Sequence, residues 1–159
     1  MGKWIRFSDT VRKIVAPQLR QYGYEQIIPP GYKGSGIILF SKNVFDDLNG
    51  FIEFDRSQWV APEANDSEMV RRFWVLLFRN KGNEPDRIQE QRGDKYFSVI
   101  SLSYLLWDVY HVHKYEWRHY SWDYTSLKEL KTQLETVMED LVQYGIPWLE
   151  DPKSKSPFL

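Results

Sequence analysis

The sequence predicts an α+β fold, an antiparallel sheet of about five strands with an N-terminal and a C-terminal helix packed on one face. Three observations predict it. Residues 8–22 and 126–145 carry apolar positions at helical spacing. Between them lie short runs rich in β-branched and aromatic residues, separated by turn residues. The 159 residues, 42% hydrophobic and 27% charged, suit one domain whose core needs no metal or disulfide staple. We place that domain at residues 1–150 and expect 151–159 to be a loosely held tail.

Ser8 or Asp9 caps the first predicted helix, whose stripe is Val11, Ile14, Val15, Leu19 and Tyr22. Pro17 falls inside it, which predicts a kink or two short helices. Gly23 supplies a left-handed stop. "IIPPGYKGSG" reads as a loop. "IILFSKNVFDDL" and "FIEFDRSQWV" then form a hairpin joined at Asn49-Gly50, a dipeptide suited to a two-residue turn. "FWVLLF", Phe73 to Phe78, is apolar on both faces and predicts a central strand. A polar stretch, residues 80–95, predicts a loop holding one short exposed helix. "YFSVISLSYLLW" predicts a further strand, continued by "VYHVHKYEWRHYSWDY", Val109 to Tyr124. In the closing helix, Ser126 and Glu129 form a capping box ahead of Leu127, Leu130, Leu134, Val137, Met138 and Leu141. Gly145 and Pro147 are expected to end it, by the chemistry that Gly23 uses in the same tripeptide "QYG".

Composition narrows the function classes. The chain has no cysteine, which excludes disulfides, thiolate catalysis, Cys-ligated zinc and iron–sulfur clusters, and fits a reducing cytoplasm. No apolar run reaches membrane-spanning length, so no membrane association is expected. The opening "MGKWIRFSDT" lacks the apolar core of a secretory leader. With a formal net charge of −1 and scattered Lys and Arg, the chain lacks the basic footprint of a nucleic-acid binder. Phosphate loops, nucleophile elbows and HExxH patterns do not occur.

"APQLRQYGY", "FIEFDRSQWV", "RFWVLLF" and the closing "YGIPWLED" follow one another in an order that resembles the bacterial family called domain of unknown function 4304. Gly23-Tyr24, Ser57-x-Trp59 and Pro147-Trp148 hold its motif positions, with Tyr24 where the family has Phe. The segment 80–95 has no counterpart there. The resemblance implies the fold and brings no catalytic residue.

All three histidines fall in Val109–Tyr124. As a strand, it would set His111, His113, Tyr115, Trp117 and His119 on one largely buried side and Val112, Lys114, Glu116 and Arg118 on the other, exposed side. On the buried side, Tyr115 and Trp117 would be packed, with the first two histidines near the rim. His111 and His113 would then share a face at a spacing metals use, but zinc needs a third protein ligand. Glu53 or Asp55 could supply one. Those two carboxylates share a strand face, as an acid–base pair would and as any half-solvated strand does. Single-stranded bases could stack on the aromatics, but the face offers no cation to hold the backbone.

Seven Trp, ten Tyr and nine Phe exceed what a core this size easily hides, and surface Trp and Tyr make binding hot spots. The expected binding residues are Tyr115, Trp117, Trp122, Tyr124 and Trp59, with Trp122 and Tyr124 at the mouth of an aromatic-edged groove. The expected function is a non-catalytic protein-interaction module with a protein partner and no cofactor, of the kind bacteria use as immunity or adaptor proteins. The alternative is a small metal-dependent hydrolase or ligand-binding protein using His111, His113 and a nearby carboxylate.

Overall fold

A computed structural model describes residues 2–56, 71–82, 99–117 and 120–154. The described chain is an α+β fold with a six-stranded antiparallel sheet. The first helix, α1 (Gly2–Arg20), leads into β1 (Glu25–Ile27), β2 (Ile37–Phe45), β3 (Leu48–Arg56) and β4 (Arg71–Lys81). Then come β5 (Val99–Ser101), a helical turn α2 (Leu102–Tyr104), a π-helical turn Leu105–Val109 and β6 (Trp122–Tyr124). The chain closes with α3 (Leu127–Asp140), a second π-helical turn Leu141–Gly145 and α4 (Ile146–Glu150).

The strands run β1-β2-β3-β4-β5 across the sheet. One edge of β4 pairs with β3, while Leu76–Phe78 pair with β5 and Arg71–Phe73 with β6, so β5 and β6 lie end to end. Phe73–Phe78 is therefore central, as its two-sided apolarity predicts. On one face of the sheet, Phe40, Ile52, Phe54, Phe73, Val75 and Leu77 join a single core with both long helices. From α1 that core takes Phe7, Val11, Val15 and Leu19, spaced every four residues along one face. From α3 and the turn after it come Leu130, Leu134, Val137, Met138 and Leu141. The opposite face buries a smaller cluster of Leu39, Phe51 and Phe78.

Several boundaries differ from the sequence expectation. The first helix begins at Gly2, so Ser8 and Asp9 lie inside it and do not cap it. Pro17 sits in the last turn of one unbroken helix, where its missing N–H costs one hydrogen bond, the one to the Lys13 carbonyl. Gly23, at φ +89°, closes a Schellman motif: Tyr24 N–H donates to the Leu19 carbonyl and Gly23 N–H to that of Arg20, each at 3.0 Å. The second "QYG" behaves differently. Gly145 is helical at φ −70°, and the backbone passes through it into α4, with Pro147 in that helix's first turn.

The β2–β3 hairpin forms, but its turn is Asp46-Asp47, with Asp46 at φ +49°. Asn49 and Gly50 lie within β3, opposite Asn43 and Lys42. A bulge at Val44 absorbs the shift in register. The Asn43 amide donates to the carbonyls of Asp46 and Leu48, both at 3.1 Å, and fixes the turn upstream of the dipeptide. Of the segment 80–95, expected to hold one short helix, Asn80 and Lys81 end β4 and Gly82 follows, while the rest lies outside the described residues. Of the tail 151–159, the described part ends at Ser154, and the buried Arg79 guanidinium donates to the carbonyls of Asp151, at 2.9 Å, and Ser154.

Candidate functional site

Leu102 to Trp117 carries the densest chemistry among the described residues, and it is not a strand beyond Ser101. The Ser101 hydroxyl accepts the Tyr104 N–H at 3.2 Å and starts helical turns that bury Leu102, Leu105 and Leu106. Tyr110 N–H closes the π turn on the Leu105 carbonyl at 3.1 Å. His111 then takes φ +55°, which turns the chain out of any extended path. Residues 111–117 follow as irregular chain, and among the described residues of this stretch only Trp122–Tyr124 is strand. The predicted alternation of faces therefore fails between His111 and Trp117.

The irregular chain is nevertheless tied down. Asp140, at the end of α3 and 2% exposed, receives the Lys114 ammonium on Oδ1 and the Tyr115 hydroxyl on Oδ2 at 2.7 Å. Trp122 Nε1 donates to the Tyr115 oxygen at 3.3 Å. Tyr115 stacks on Tyr120 at 4.5 Å between centroids, and both rings meet Trp122 edge-on. Burial first, then the bond to Asp140, keep the Tyr115 hydroxyl protonated well above the ordinary phenol range.

These contacts redistribute the expected binding residues. Trp122, 1% exposed, and Tyr124, 5% exposed, are core residues and line no groove mouth, because β6 lies against β4 and beneath α1. Tyr115 is half-buried and serves as an anchor. Trp117 is open to solvent at 62% exposure. The strand reading put Trp117 on a packed face, so its exposure is a further correction. Trp59, Arg118 and His119 lie outside the described residues, as does Ser57 of the family motif.

His111 and His113 are both exposed. The His113 ring rests 4.4 Å from that of Trp107, and its Nε2 lies 3.3 Å from the Trp107 carbonyl. Among the described residues, no three His, Asp or Glu side chains form a group that could hold a metal ion. Glu53 and Asp55 do share the sheet face predicted for them, but Glu53 is fully buried there, opposite Leu39 and Leu76. Two carboxylates side by side in solvent are therefore not what β3 presents.

The same segment also exposes Val109 and Tyr110, with Val142 exposed on the π turn after α3. Tyr110 packs on Tyr144 at 5.0 Å, bringing the two turns together. Sequence reasoning missed Asp140, although one signal was present: a carboxylate three residues after Val137, at the margin of an apolar helical face. No helix among the described residues is long and apolar enough to cross a membrane. Compared with known proteins, the chain matches no protein family, no curated protein and no solved structure.

Proposed function

We propose that this chain is a non-catalytic protein-binding module of the bacterial cytoplasm, of the immunity or adaptor kind, and that it engages its partner through Val109, Tyr110 and Trp117. One observation carries the reading: an exposed Trp lies two residues beyond Tyr115, which a buried carboxylate fixes. Large apolar groups held in place lose little entropy on binding, which is how aromatic hot spots gain affinity. The bacterial setting comes from the sequence resemblance alone. A duplex-binding role finds little support in a net charge of −1.

The test is a partner screen with the product of each neighbouring gene, followed by affinity measurement with Trp117→Ala. The variant should melt like the parent and bind at least about thirtyfold more weakly, the effect of losing a central hot spot. Unchanged affinity would remove this surface from the proposal. The competing metal-dependent hydrolase predicts stoichiometric bound zinc or manganese that disappears in His111→Ala, which metal analysis of the purified protein decides.

A further inference from the structure

Far along the chain from the aromatic segment, α1 and the loop between β1 and β2 enclose a cleft of about 410 Å³. That volume lies in the range of small-molecule sites. Its rim carries Arg12 from α1, Lys33 from the loop and Arg56 from the end of β3. Asp9 is the one carboxylate among the described lining residues, and it pairs with Arg12 at 3.6 Å. Three cations line the cleft against one lining carboxylate, and Asp55, next to Arg56 on β3, adds a second negative charge nearby, so the balance stays positive on a chain whose net charge is −1.

The loop is built to bring Arg56 into the cleft. Arg56 N–H donates to the Gly36 carbonyl at 3.1 Å, which pairs the end of β3 with the residue that precedes β2. The Arg56 guanidinium lies across Gly36, where a Cβ would meet it at 2.9 to 3.1 Å. At φ +82°, Gly36 also adopts a backbone conformation that other residues rarely take. The Ser35 hydroxyl donates to the Tyr32 carbonyl at 2.6 Å and accepts the Ile37 N–H at 3.2 Å, so the turn carrying Lys33 is held at both ends. Burial lowers the Arg56 pKa from its ordinary value, with neighbouring Arg71 adding to the effect and Tyr124 and Asp55 opposing it. A guanidinium partly withdrawn from water beside a second one gains from an anion.

Ser8 and Gln26 add polar groups, and the apolar part of the wall is Ile27, Ile28, Ile37 and Ile38, with the Tyr32 ring. We infer that this cleft binds a small organic anion, its carboxylate or phosphate held by Arg12 and Arg56 and its apolar body lying against Ile27, Ile37 and Tyr32. Two planar guanidiniums suit an oxyanion with several acceptor oxygens, and the isoleucines disfavour a fully hydrated ion. The site is separate from Trp117 and does not depend on the protein-binding proposal.

Phenyl phosphate, phenylacetate, inorganic phosphate and phenol, each titrated into labelled protein and followed by amide chemical shifts, test the inference. At least one of the two organic anions should shift Ser8 to Arg12, Tyr32 to Ile38 and Arg56, with affinity about tenfold above inorganic phosphate and phenol alike. The tighter of the two identifies the preferred head group. Arg12→Gln changes an exposed residue and should leave the fold intact while weakening binding about tenfold, and Arg56→Gln should do the same or more. Arg56→Lys should recover only part of the loss, since an ammonium cannot offer the planar fork. Binding of both organic anions no tighter than that of inorganic phosphate or phenol would overturn the inference. So would the absence of shifts at these residues up to about 10 mM, or shifts that Arg12→Gln leaves unchanged.

Discussion

Tyr115 and Asp140 are 25 residues apart and meet hydroxyl to carboxylate at 2.7 Å, while Lys114 holds the other oxygen of the same carboxylate. The two partners differ in exposure. The Asp140 side chain is 3% exposed and that of Lys114 39%. Removing Lys114 leaves a carboxylate in the protein interior with one hydroxyl donor, whereas removing the charge of Asp140 frees an ammonium that can swing into water. Lys114→Met should therefore cost about 2–3 kcal/mol, below the range for fully buried pairs because water already reaches the ammonium. Asp140→Asn should cost about 1 kcal/mol. The double variant should cost less than the sum, and urea melts of the four proteins close the cycle. Strict additivity would mean the pair is not coupled.

The capping box was legible at the level of residue types, and its geometry adds a detail. The Ser126 hydroxyl accepts the Glu129 N–H at 3.1 Å, as the motif requires. The Glu129 carboxylate reaches one residue further back, to Thr125 N–H at 3.1 Å and to the Thr125 hydroxyl at 2.7 Å. Ser126→Ala should cost about 1 kcal/mol. Leu134→Ala, at a fully buried position, should cost about 2–5 kcal/mol. Negligible losses for both in denaturant melts would mean that α3 is not docked on the sheet.

Where the sequence was informative, period and burial agreed. The spacing of Val11, Val15 and Leu19, and of Leu130, Leu134 and Leu141, declared both helix faces, and the doubly apolar Phe73–Phe78 declared the central strand. Where it misled, a local preference lost to packing. Asn49-Gly50 has strong turn chemistry, but its glycine is needed inside β3 beside the Val44 bulge. Val109, Tyr110 and Val112 have strand-like side chains, but Leu105 and Leu106 reach the core through helical turns, and the chain leaves them through the left-handed His111. The Arg12–Arg56 cleft was illegible for another reason. Its residues come from a helix, a loop and the end of a strand, and only the fold brings them together.

Two buried phenols and one half-buried one make stability depend on alkaline pH. Burial, the leading cause in each case, raises Tyr24, Tyr115 and Tyr124, the last from 10.0 to about 12. In the unfolded chain each loses its proton near 10.0, while the folded chain keeps it. Above that pH the unfolded state binds fewer protons, so stability must fall as pH rises. The Tyr124 contribution is fully present below pH 10 and gone once pH passes about 12. Urea midpoints measured between about pH 8 and 11.5 should be level at first and then decline, and Tyr124→Phe should make the decline shallower. Phenolate absorbance of the folded protein should show these tyrosines titrating last. If every tyrosine titrated near its ordinary value, the burial assigned to these three would be wrong.

Gly50 is the site where a single methyl group should be most instructive. A Cβ built there would lie 2.8 Å from Val44 Cγ1, closer than packed carbon atoms approach. Its other neighbours, the Tyr24 hydroxyl at 3.6 Å and Leu149 Cδ2 at 3.7 Å, stand at ordinary contact distance. The clash is therefore with one branched side chain on a bulge. Gly50→Ala should cost about 1–3 kcal/mol by overpacking. Val44→Ala removes packing at a half-buried position and should cost about 1 kcal/mol. Combined, the alanine methyl at 50 occupies space that valine vacates, and the unfolded chain also loses the conformational freedom of a glycine. The double variant should then be less destabilised than Gly50→Ala alone, by about 1 kcal/mol. Equilibrium unfolding of the four proteins measures this directly. If the two losses simply add, Val44 is not what requires glycine at position 50, and the bulge cannot explain why the turn sits at Asp46-Asp47.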